Sequence, residues 1–342
     1  MKRFLIVVLF SLLWVFVQAQ DLEYAKSIVD RLCAEDMHGR GYLNAGDKNA
    51  AYLIENEFKS FKLLPYNIIE GTIGSQKGKK IRNYVQEFNM KVNTFPTEVR
   101  LIVDGIELKA GTDFILKPSS GPIADKELDL YFLTKKNIKD EAAYDDFSFE
   151  DYTAVCVVVD QAEFAKEKDN EYLKLVMEND MRADAVMLLA SGSLMWGVSQ
   201  TFDKFPTYIV QKEKLPKKAA LIEVLHETKY YYSYKSQNVI GKIEGKTHQD
   251  KYIVIGAHYD HLGKLGNQVY YPGANDNASG VAMMLDLAKH YSDVFSQPEY
   301  TMIFVGFGAE EAGFLGSKYF VENPPVPLKD IRLMINFDMM ST

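Results

Sequence analysis

The chain has 342 residues, 47% of them hydrophobic and 25% charged, which excludes a disordered chain and leaves room for two domains. Its 39 Lys and Arg residues against 47 Asp and Glu residues give a formal net charge of −8, and no Lys/Arg-dense stretch suggests a nucleic-acid partner. The two cysteines, Cys33 and Cys156, are too few for a disulfide framework or a thiolate metal cluster. A bridge between them stays open, but two small apolar side chains is the favoured interpretation.

Residues 1–19 have the pattern of a secretory signal peptide. Lys2 and Arg3 precede an apolar run from Phe4 to Val17, which is too short for a comfortable membrane span, and small residues allow cleavage before Gln20. No second apolar span follows, so we expect no membrane span after cleavage and an exported protein, periplasmic or extracellular. An uncleaved anchor is the alternative.

Residues 20–96 are predicted to form the N-terminal part of a larger domain. Apolar periodicity predicts a helix over 21–34, and Asp47 is predicted to cap a second helix. The Gly/Lys-rich stretch 71–80 is predicted to be a loop, and alternation over 84–90 predicts a strand.

The stretch 97–235 differs from its surroundings and is predicted to be an inserted β-rich domain. Acidic, turn-rich segments separate its short β runs, and one helix is predicted over 170–179. We find no cluster of potential catalytic groups in it, so we expect the chemistry elsewhere. The predicted β runs are 99–103, 128–133, 154–159, 185–189 and 208–210.

From residue 236 to 342 the pattern becomes α/β. Apolar runs predict strands at 239–243, 251–256, 300–306 and 331–337, with helices ending near Tyr291 and spanning about 315–323. Uninterrupted apolar strands that alternate with helices indicate a mostly parallel central sheet with helices on both faces. The predicted fold class is therefore α/β, interrupted by the β-rich insert.

Potential ligands follow three of these strands. In open α/β sheets, functional groups collect beyond the carboxyl ends of parallel strands, so we expect these side chains to meet although the sequence separates them. Each alone has a structural explanation, such as a helix cap or a solvated pair. Carboxylates gathered at one edge repel unless protons or a metal neutralise them, and imidazole with carboxylates suits zinc. These residues are His258, Asp260, His261, Glu310, Glu311 and Asp338, with Asp276 in a Gly/Asn-rich turn.

Four segments carry a family resemblance. AHYDHLG (257–263), PGANDNASG (272–280), FGAEEAGFLGS (307–317) and NFDM (336–339) resemble the motifs of the exported co-catalytic zinc aminopeptidases, family twenty-eight of the metallopeptidases. MHGRG (37–41) is similar to the family's N-terminal segment, and the insert resembles its protease-associated (PA) domain. The resemblance implies a zinc-exopeptidase fold and peptide substrates.

The resemblance also implies a role for each site residue. His258 and Asp338 would hold one zinc ion, Glu311 would hold the other, and Asp276 would bridge both. Asp260 would orient the His258 imidazole, and Glu310 would be the general base on the metal-bound water. The resemblance gives His261 no defined role, and we expect it to lie behind the ligands or at the surface.

One departure from the family pattern concerns the second zinc site. In the family, a last histidine far beyond NFDM completes that site, whereas this sequence ends at Thr342. We therefore expect a C-terminally shortened member with a defective second site. The leading prediction is an exported zinc aminopeptidase. A single-zinc, glutaminyl cyclase-like enzyme and a non-catalytic exported binding protein are the alternatives. The sequence leaves the oligomeric state open.

Overall fold

Two β-sheets organise residues 21–73, 76–166 and 170–340, the part of the chain that the computed structural model describes. The predicted signal peptide, residues 1–19, lies outside these ranges. The α-helices are α1 (Leu22–Leu32), α2 (Gly46–Ser60), α3 (Glu141–Ser148), α4 (Glu171–Met177), α5 (Gly280–Ser292) and α6 (Leu315–Glu322). No helix of the described ranges is both long enough and apolar enough to cross a bilayer.

The strands up to the end of the predicted insert are β1 (Leu64–Pro65), β2 (Asn67–Ile73), β3 (Gln76–Asn83), β4 (Val85–Thr94), β5 (Arg100–Val103), β6 (Ile106–Glu107), β7 (Phe114–Leu116), β8 (Ile123–Phe132), β9 (Val155–Asp160), β10 (Ala185–Ala190), β11 (Thr207–Gln211) and β12 (Leu221–His226). The remaining strands are β13 (Lys229–Ile243), β14 (His248–His258), β15 (Lys264–Leu265), β16 (Val269–Tyr270), β17 (Tyr300–Phe307) and β18 (Ile331–Asn336).

The first sheet is mixed, and the prediction of a mostly parallel sheet is wrong for its described strands. Its order is β1-β13-β17-β14-β18, with β4 paired to β13. The pairs β14–β17 and β14–β18 are parallel, whereas β1–β13, β4–β13 and β13–β17 are antiparallel. The reason is the path of the chain, which leaves this sheet along β4 and returns beside it along β13. Only the strands after β13 are joined by crossovers that keep neighbours parallel.

Side chains that alternate along the central strands pack on opposite faces of this sheet. On one face, Ile255 and Phe304 join a buried cluster with residues of α1, α2 and α5. On the other, Val254 and Ile303 pack with Phe320 of α6. Because β17 and the second half of β14 are buried on both faces, they need the continuous apolar runs seen in the sequence, whereas β18 is largely exposed. The pairing of β14 with β17 and with β18 places the ends of these three strands beside one another.

The second sheet is built from residues 100–226 and has the order β6-β5-β12-β8-β9-β10-β11-β7. Its middle strands β8, β9, β10 and β11 are parallel to one another, and the flanking pairs β8–β12 and β11–β7 are antiparallel. The predicted β runs of this region are confirmed as strands, and the predicted helix over 170–179 forms as α4. Cys156 is buried here, and both Cys156 and Cys33 are free thiols.

Two local predictions in the N-terminal part are wrong. Within the stretch 71–80, predicted as a loop, residues 71–73 and 76–80 belong instead to the antiparallel pair β2–β3. Asp47 does not cap α2, because the helix begins at Gly46 and Asp47 lies inside its first turn. The Asp47 carboxylate instead accepts hydrogen bonds from Tyr234 Oη at 2.6 Å and Ser236 Oγ at 3.3 Å.

Candidate metal centre

The ends of three parallel strands meet at one edge of the first sheet. β14 lies between β17 and β18, and its last residue, His258, is in register with Phe307 at the end of β17. Glu310 and Glu311 follow β17 within a few residues, and Asp338 follows β18. Asp276 reaches the same edge from the turn that precedes α5. The strand order thus brings together residues that lie 80 positions apart in sequence.

His258, Asp276 and Asp338 form the first group with the spacing of metal ligands. His258 Nε2 lies 3.4 Å from Asp276 Oδ1 and 3.5 Å from Asp338 Oδ1. Ligand atoms at about 2.0 Å from a tetrahedral zinc ion would be about 3.3 Å apart, so these separations leave room for one ion between them. The imidazole is buried and both carboxylates are partly exposed, which leaves one side of the group open.

The opposite nitrogen of His258 fixes the orientation of the ring. Nδ1 lies 3.2 Å from the backbone carbonyl oxygen of Asp260 and 3.9 Å from Oδ1 of its carboxylate. A carbonyl only accepts, so Nδ1 carries the proton and the lone pair of Nε2 faces Asp276 and Asp338. The residue expected to orient the imidazole, Asp260, therefore does so through its backbone oxygen.

The carboxylate of Asp260 holds a different part of the site. It is fully buried and accepts hydrogen bonds from the backbone N–H groups of Glu310 at 3.0 Å and Glu311 at 3.2 Å, and from Tyr42 Oη at 3.0 Å. Burial raises the pKa of the Asp260 carboxyl, while the His258 imidazole and these donors oppose the shift. Asp260 thus ties the end of β14 to the start of the Glu310–Glu311 turn.

A second group consists of His261, Asp276 and Glu311, whose ligand atoms also lie within 4.8 Å of one another. His261 Nδ1 is 2.8 Å from Glu311 Oε1, and its ring packs against Gly273. Sequence analysis gave His261 no defined role. The only signal was its place three residues after His258, beyond the end of a buried strand. Because Asp276 belongs to both groups, its carboxylate is the element that two ions would share.

Glu310 projects beside both groups without belonging to either. Its Oε2 lies 4.0 Å from His258 Nδ1, and the side chain is about one quarter exposed. It lines a pocket of about 170 Å³ together with His258, Asp338 and apolar side chains such as Phe314. Burial raises the pKa of the Glu310 carboxyl, and the neighbouring imidazole of His258 opposes the shift. A carboxylate with a raised pKa at the wall of a pocket is suited to accept a proton.

Electrostatics favour a cation in this arrangement. Burial disfavours the charged form of His258, but the carboxylates of Asp260, Glu310, Asp338 and Asp276 outweigh it and raise the pKa of the imidazole. The carboxylates are therefore stabilised by a nearby positive charge, and a divalent ion neutralises more of their negative charge than one imidazolium does. Nitrogen and oxygen donors without thiolates fit zinc.

Comparison with known proteins shows which family the part of the chain that carries this site resembles. Residues 238–342 match the family model described as Peptidase family M28. These residues carry the four motifs, so the match confirms the resemblance to this family that was drawn from them.

Curated relatives share this part of the chain. Aminopeptidase YwaD of Bacillus subtilis is 37% identical over 123 residues, which are 35% of this chain and 25% of the relative. A probable zinc metalloprotease of Pyrenophora teres f. teres is 34% identical over 106 residues, 30% of this chain and 22% of the relative. The matches thus span about a quarter of the length of these relatives.

A solved structure shares the fold over a longer range. The zinc aminopeptidase BSAP from Bacillus subtilis aligns with 94% of this chain and 69% of its own, with a TM-score of 0.61 at 22% identity. An aminopeptidase from Aneurinibacillus sp. strain AM-1 covers 94% of this chain and 71% of its own with a TM-score of 0.56 at 21% identity. At this identity the likeness is one of fold, and it extends over both sheets.

Proposed function

We propose that this protein is a zinc-dependent exopeptidase, an aminopeptidase that removes N-terminal residues from peptides. The observation that carries the proposal is the meeting of His258, Asp276, Glu311 and Asp338 at one edge of the first sheet, at ligand spacing. The match of residues 238–342 to the model of Peptidase family M28 and the names of the relatives support the same activity.

In this proposal each ligand has one task. His258 and Asp338 would hold one zinc ion, Glu311 would hold the other, and Asp276 would contribute to both sites. Bound zinc would lower the pKa of a coordinated water and polarise the carbonyl of the scissile bond. Asp260 contributes by fixing both the His258 ring and the Glu310–Glu311 turn.

Glu310 carries the proton in the proposed reaction. Its carboxylate accepts a proton from the attacking water and returns it to the amine that leaves, so it acts first as a base and then as an acid. The pocket beside it has apolar walls formed by Phe307, Phe314 and Met334, which would hold a side chain of the peptide next to the reacting carbonyl.

Three further features belong to the proposal. Residues 1–19 would direct export to the periplasm or the cell exterior. Residues 20–96 and 236–342 would form the peptidase domain, with helices on both faces of its sheet. Residues 97–235 would be a PA-type insert. The second group around Glu311 favours two ions, and so favours a peptidase over a single-zinc cyclase.

The experiment uses the full-length protein after treatment with a chelator and after reconstitution with zinc. Hydrolysis of an aminoacyl p-nitroanilide is expected only with zinc and only with a free N-terminus, because an exopeptidase must recognise the terminal amine. Product analysis on a peptide that begins with glutamine separates hydrolysis from cyclisation. Zinc binding without either product would indicate a binding protein, and no zinc binding would contradict the whole proposal.

A further inference from the structure

Arg40 is the largest fully buried side chain described in this protein, and the proposed reaction does not use it. It lies in the MHGRG segment (37–41) between α1 and α2, with its backbone in the left-handed region at φ 51°. Removing a guanidinium from water carries a large desolvation cost, and an apolar side chain would fill the same volume without it. Packing alone therefore does not explain an arginine here.

The guanidinium donates five hydrogen bonds, all to backbone carbonyl oxygens. Nε bonds Tyr259 at 2.8 Å, and Nη1 bonds Leu32 at 3.1 Å and Pro272 at 2.6 Å. Nη2 bonds Gly273 at 2.8 Å and Asp276 at 3.2 Å. Every N–H group of the side chain is thus used, in the fixed planar geometry that only arginine provides.

Four of these acceptors lie on the two segments that carry His258 and Asp276. Tyr259 stands between His258 and Asp260, and the carbonyl of Asp276 belongs to the bridging residue itself. The Leu32 carbonyl anchors the same guanidinium to the end of α1. One rigid group therefore fixes the distance between the end of β14 and the turn before α5.

The backbone around Arg40 fits against the same segments without spare room. A Cβ on Gly39 would lie 2.4 Å from the carbonyl oxygen of Gly263, and one on Gly41 would lie 2.4 Å from the Gly263 Cα. A Cβ on Gly273 would come within 2.6 Å of Arg40 Nη2. The carbonyl of Arg40 itself accepts a hydrogen bond from His261 N at 3.3 Å. The close contact of Gly39 and Gly41 with Gly263 is between backbone atoms, which cannot move aside as a flexible side chain can.

We propose that Arg40 is a positioning residue that sets the separation of His258 and Asp276 and so determines how tightly the centre binds zinc. This inference rests on the proposed function. The charge of Arg40 acts in the opposite direction, since a fixed positive charge beside a cation site repels the cation. Loss of the charge alone would tighten zinc binding, and loss of the geometry would weaken it, so the sign of the change separates the two effects.

The test compares Arg40→Lys and Arg40→Met in the full-length protein. Lysine keeps the charge but offers its donors from one point and cannot span the five carbonyls. Zinc affinity is measured by competition with a chromophoric chelator, and the visible spectrum of the cobalt-substituted protein reports the coordination geometry. We expect both variants to lose about 10–100-fold in zinc affinity and to change the cobalt spectrum.

The matched control is Asn179→Ala, in the turn between α4 and β10. Asn179 bonds the carbonyl and the N–H of Ala183, each at 2.8 Å, so its loss should lower thermal stability as a buried polar loss does. Its zinc affinity should remain that of the wild type.

Unchanged or tighter zinc binding in Arg40→Met overturns the inference, as does an equal loss in Asn179→Ala. If neither Arg40 variant folds even with zinc present, Arg40 serves folding and the inference is also overturned. A wild-type protein that binds no zinc contradicts the proposed function itself, which is a different result.

Discussion

Both sheets present the carboxyl ends of parallel strands, but the two edges differ in how their charges are balanced. At the second sheet, the strands β8 to β11 end beside a cleft of about 800 Å³, where Asp160 pairs with Lys212 at 2.6 Å. At the first sheet, Asp276 and Asp338 face an imidazole nitrogen instead of a lysine. Strand-end geometry is therefore common to both regions, and what distinguishes the edge of the first sheet is that Asp276 and Asp338 have the spacing of metal ligands and form no ion pair with a lysine.

The largest effect is expected at the residue proposed to move the proton. Glu310→Gln keeps the shape of the side chain but removes its basicity, so kcat should fall by about 10³-fold while zinc stoichiometry stays at the wild-type value. Steady-state kinetics and metal analysis measure the two quantities. Glu322→Gln, an exposed change on α6, is the control. Normal turnover in Glu310→Gln would show that the base has been wrongly assigned.

The next prediction tests the contrast between the two edges directly. Asp276→Asn replaces the shared carboxylate by a neutral amide and should weaken zinc binding by more than the roughly 10–100-fold typical of a residue behind a ligand. Asp160→Asn, at the edge of the second sheet, should leave zinc binding unchanged because Lys212 already balances that charge. Chelator competition measures both. Equal losses in the two variants would abolish the distinction between the edges.

A smaller effect is expected from Asp47, whose pKa burial raises to about 7. In the unfolded chain this carboxyl titrates near its ordinary value, so the folded state binds a proton that the unfolded state has lost. Its contribution to stability is therefore full at low pH and is lost as the pH rises through about 7.

Asp47→Asn mimics the protonated acid and can still accept from Tyr234. In zinc-free protein, its free energy of unfolding should exceed that of the wild type by about 4 kcal/mol above pH 8 and by little at low pH. Thermal or urea unfolding against pH measures this difference. A gain of equal size at both ends of the range would contradict the assignment to titration.

The second sheet should show the opposite pH dependence, with a somewhat smaller effect, through His226. Burial lowers the pKa of this histidine to about 4, and its ring contacts Gly121 O at 2.8 Å and Tyr208 Oη at 3.3 Å. Because the folded-state pKa is depressed, its contribution is present above the unfolded value and is lost as the pH falls towards 4.

His226→Gln keeps a donor and an acceptor but does not titrate. Urea unfolding at pH 7 and pH 4 measures how much the free energy of unfolding falls over this range. The fall should be smaller for this variant than for the wild type, by on the order of 2–3 kcal/mol. Parallel declines would mean that His226 is not the group that makes this region acid-sensitive.

Local pattern was sufficient for the strands but not for their pairing. The apolar runs predicted at 251–256 and 300–306 form strands, as β14 and β17. The prediction of a mostly parallel sheet failed at β13, because an apolar run predicts a buried strand but not whether that strand pairs parallel or antiparallel with its neighbours. The pairing with β4 depends on the route of the chain through the second sheet.

The ligands of the site could be predicted where their residue type and their position after a strand were enough to identify them. The prediction selected His258, Asp276, Glu311 and Asp338, and these side chains lie together in the structure. His261 was among the potential ligands but had no defined role, since its contact with Glu311 joins residues 50 positions apart and has no local signal in the sequence. Asp47 was mistaken for a cap because its true partner, Tyr234, lies 187 residues away.

The sequence by itself determined which segments become buried strands and which chemistry stands at their ends, because hydrophobic period and residue type are local properties. Tertiary structure alone decided which nitrogen of His258 is free, which atom of Asp260 faces it and what Arg40 holds. These features depend on atoms brought together from distant positions, as in the contact between Arg40 and Asp276 across 236 residues. Such contacts are set by packing, which no single stretch of sequence contains.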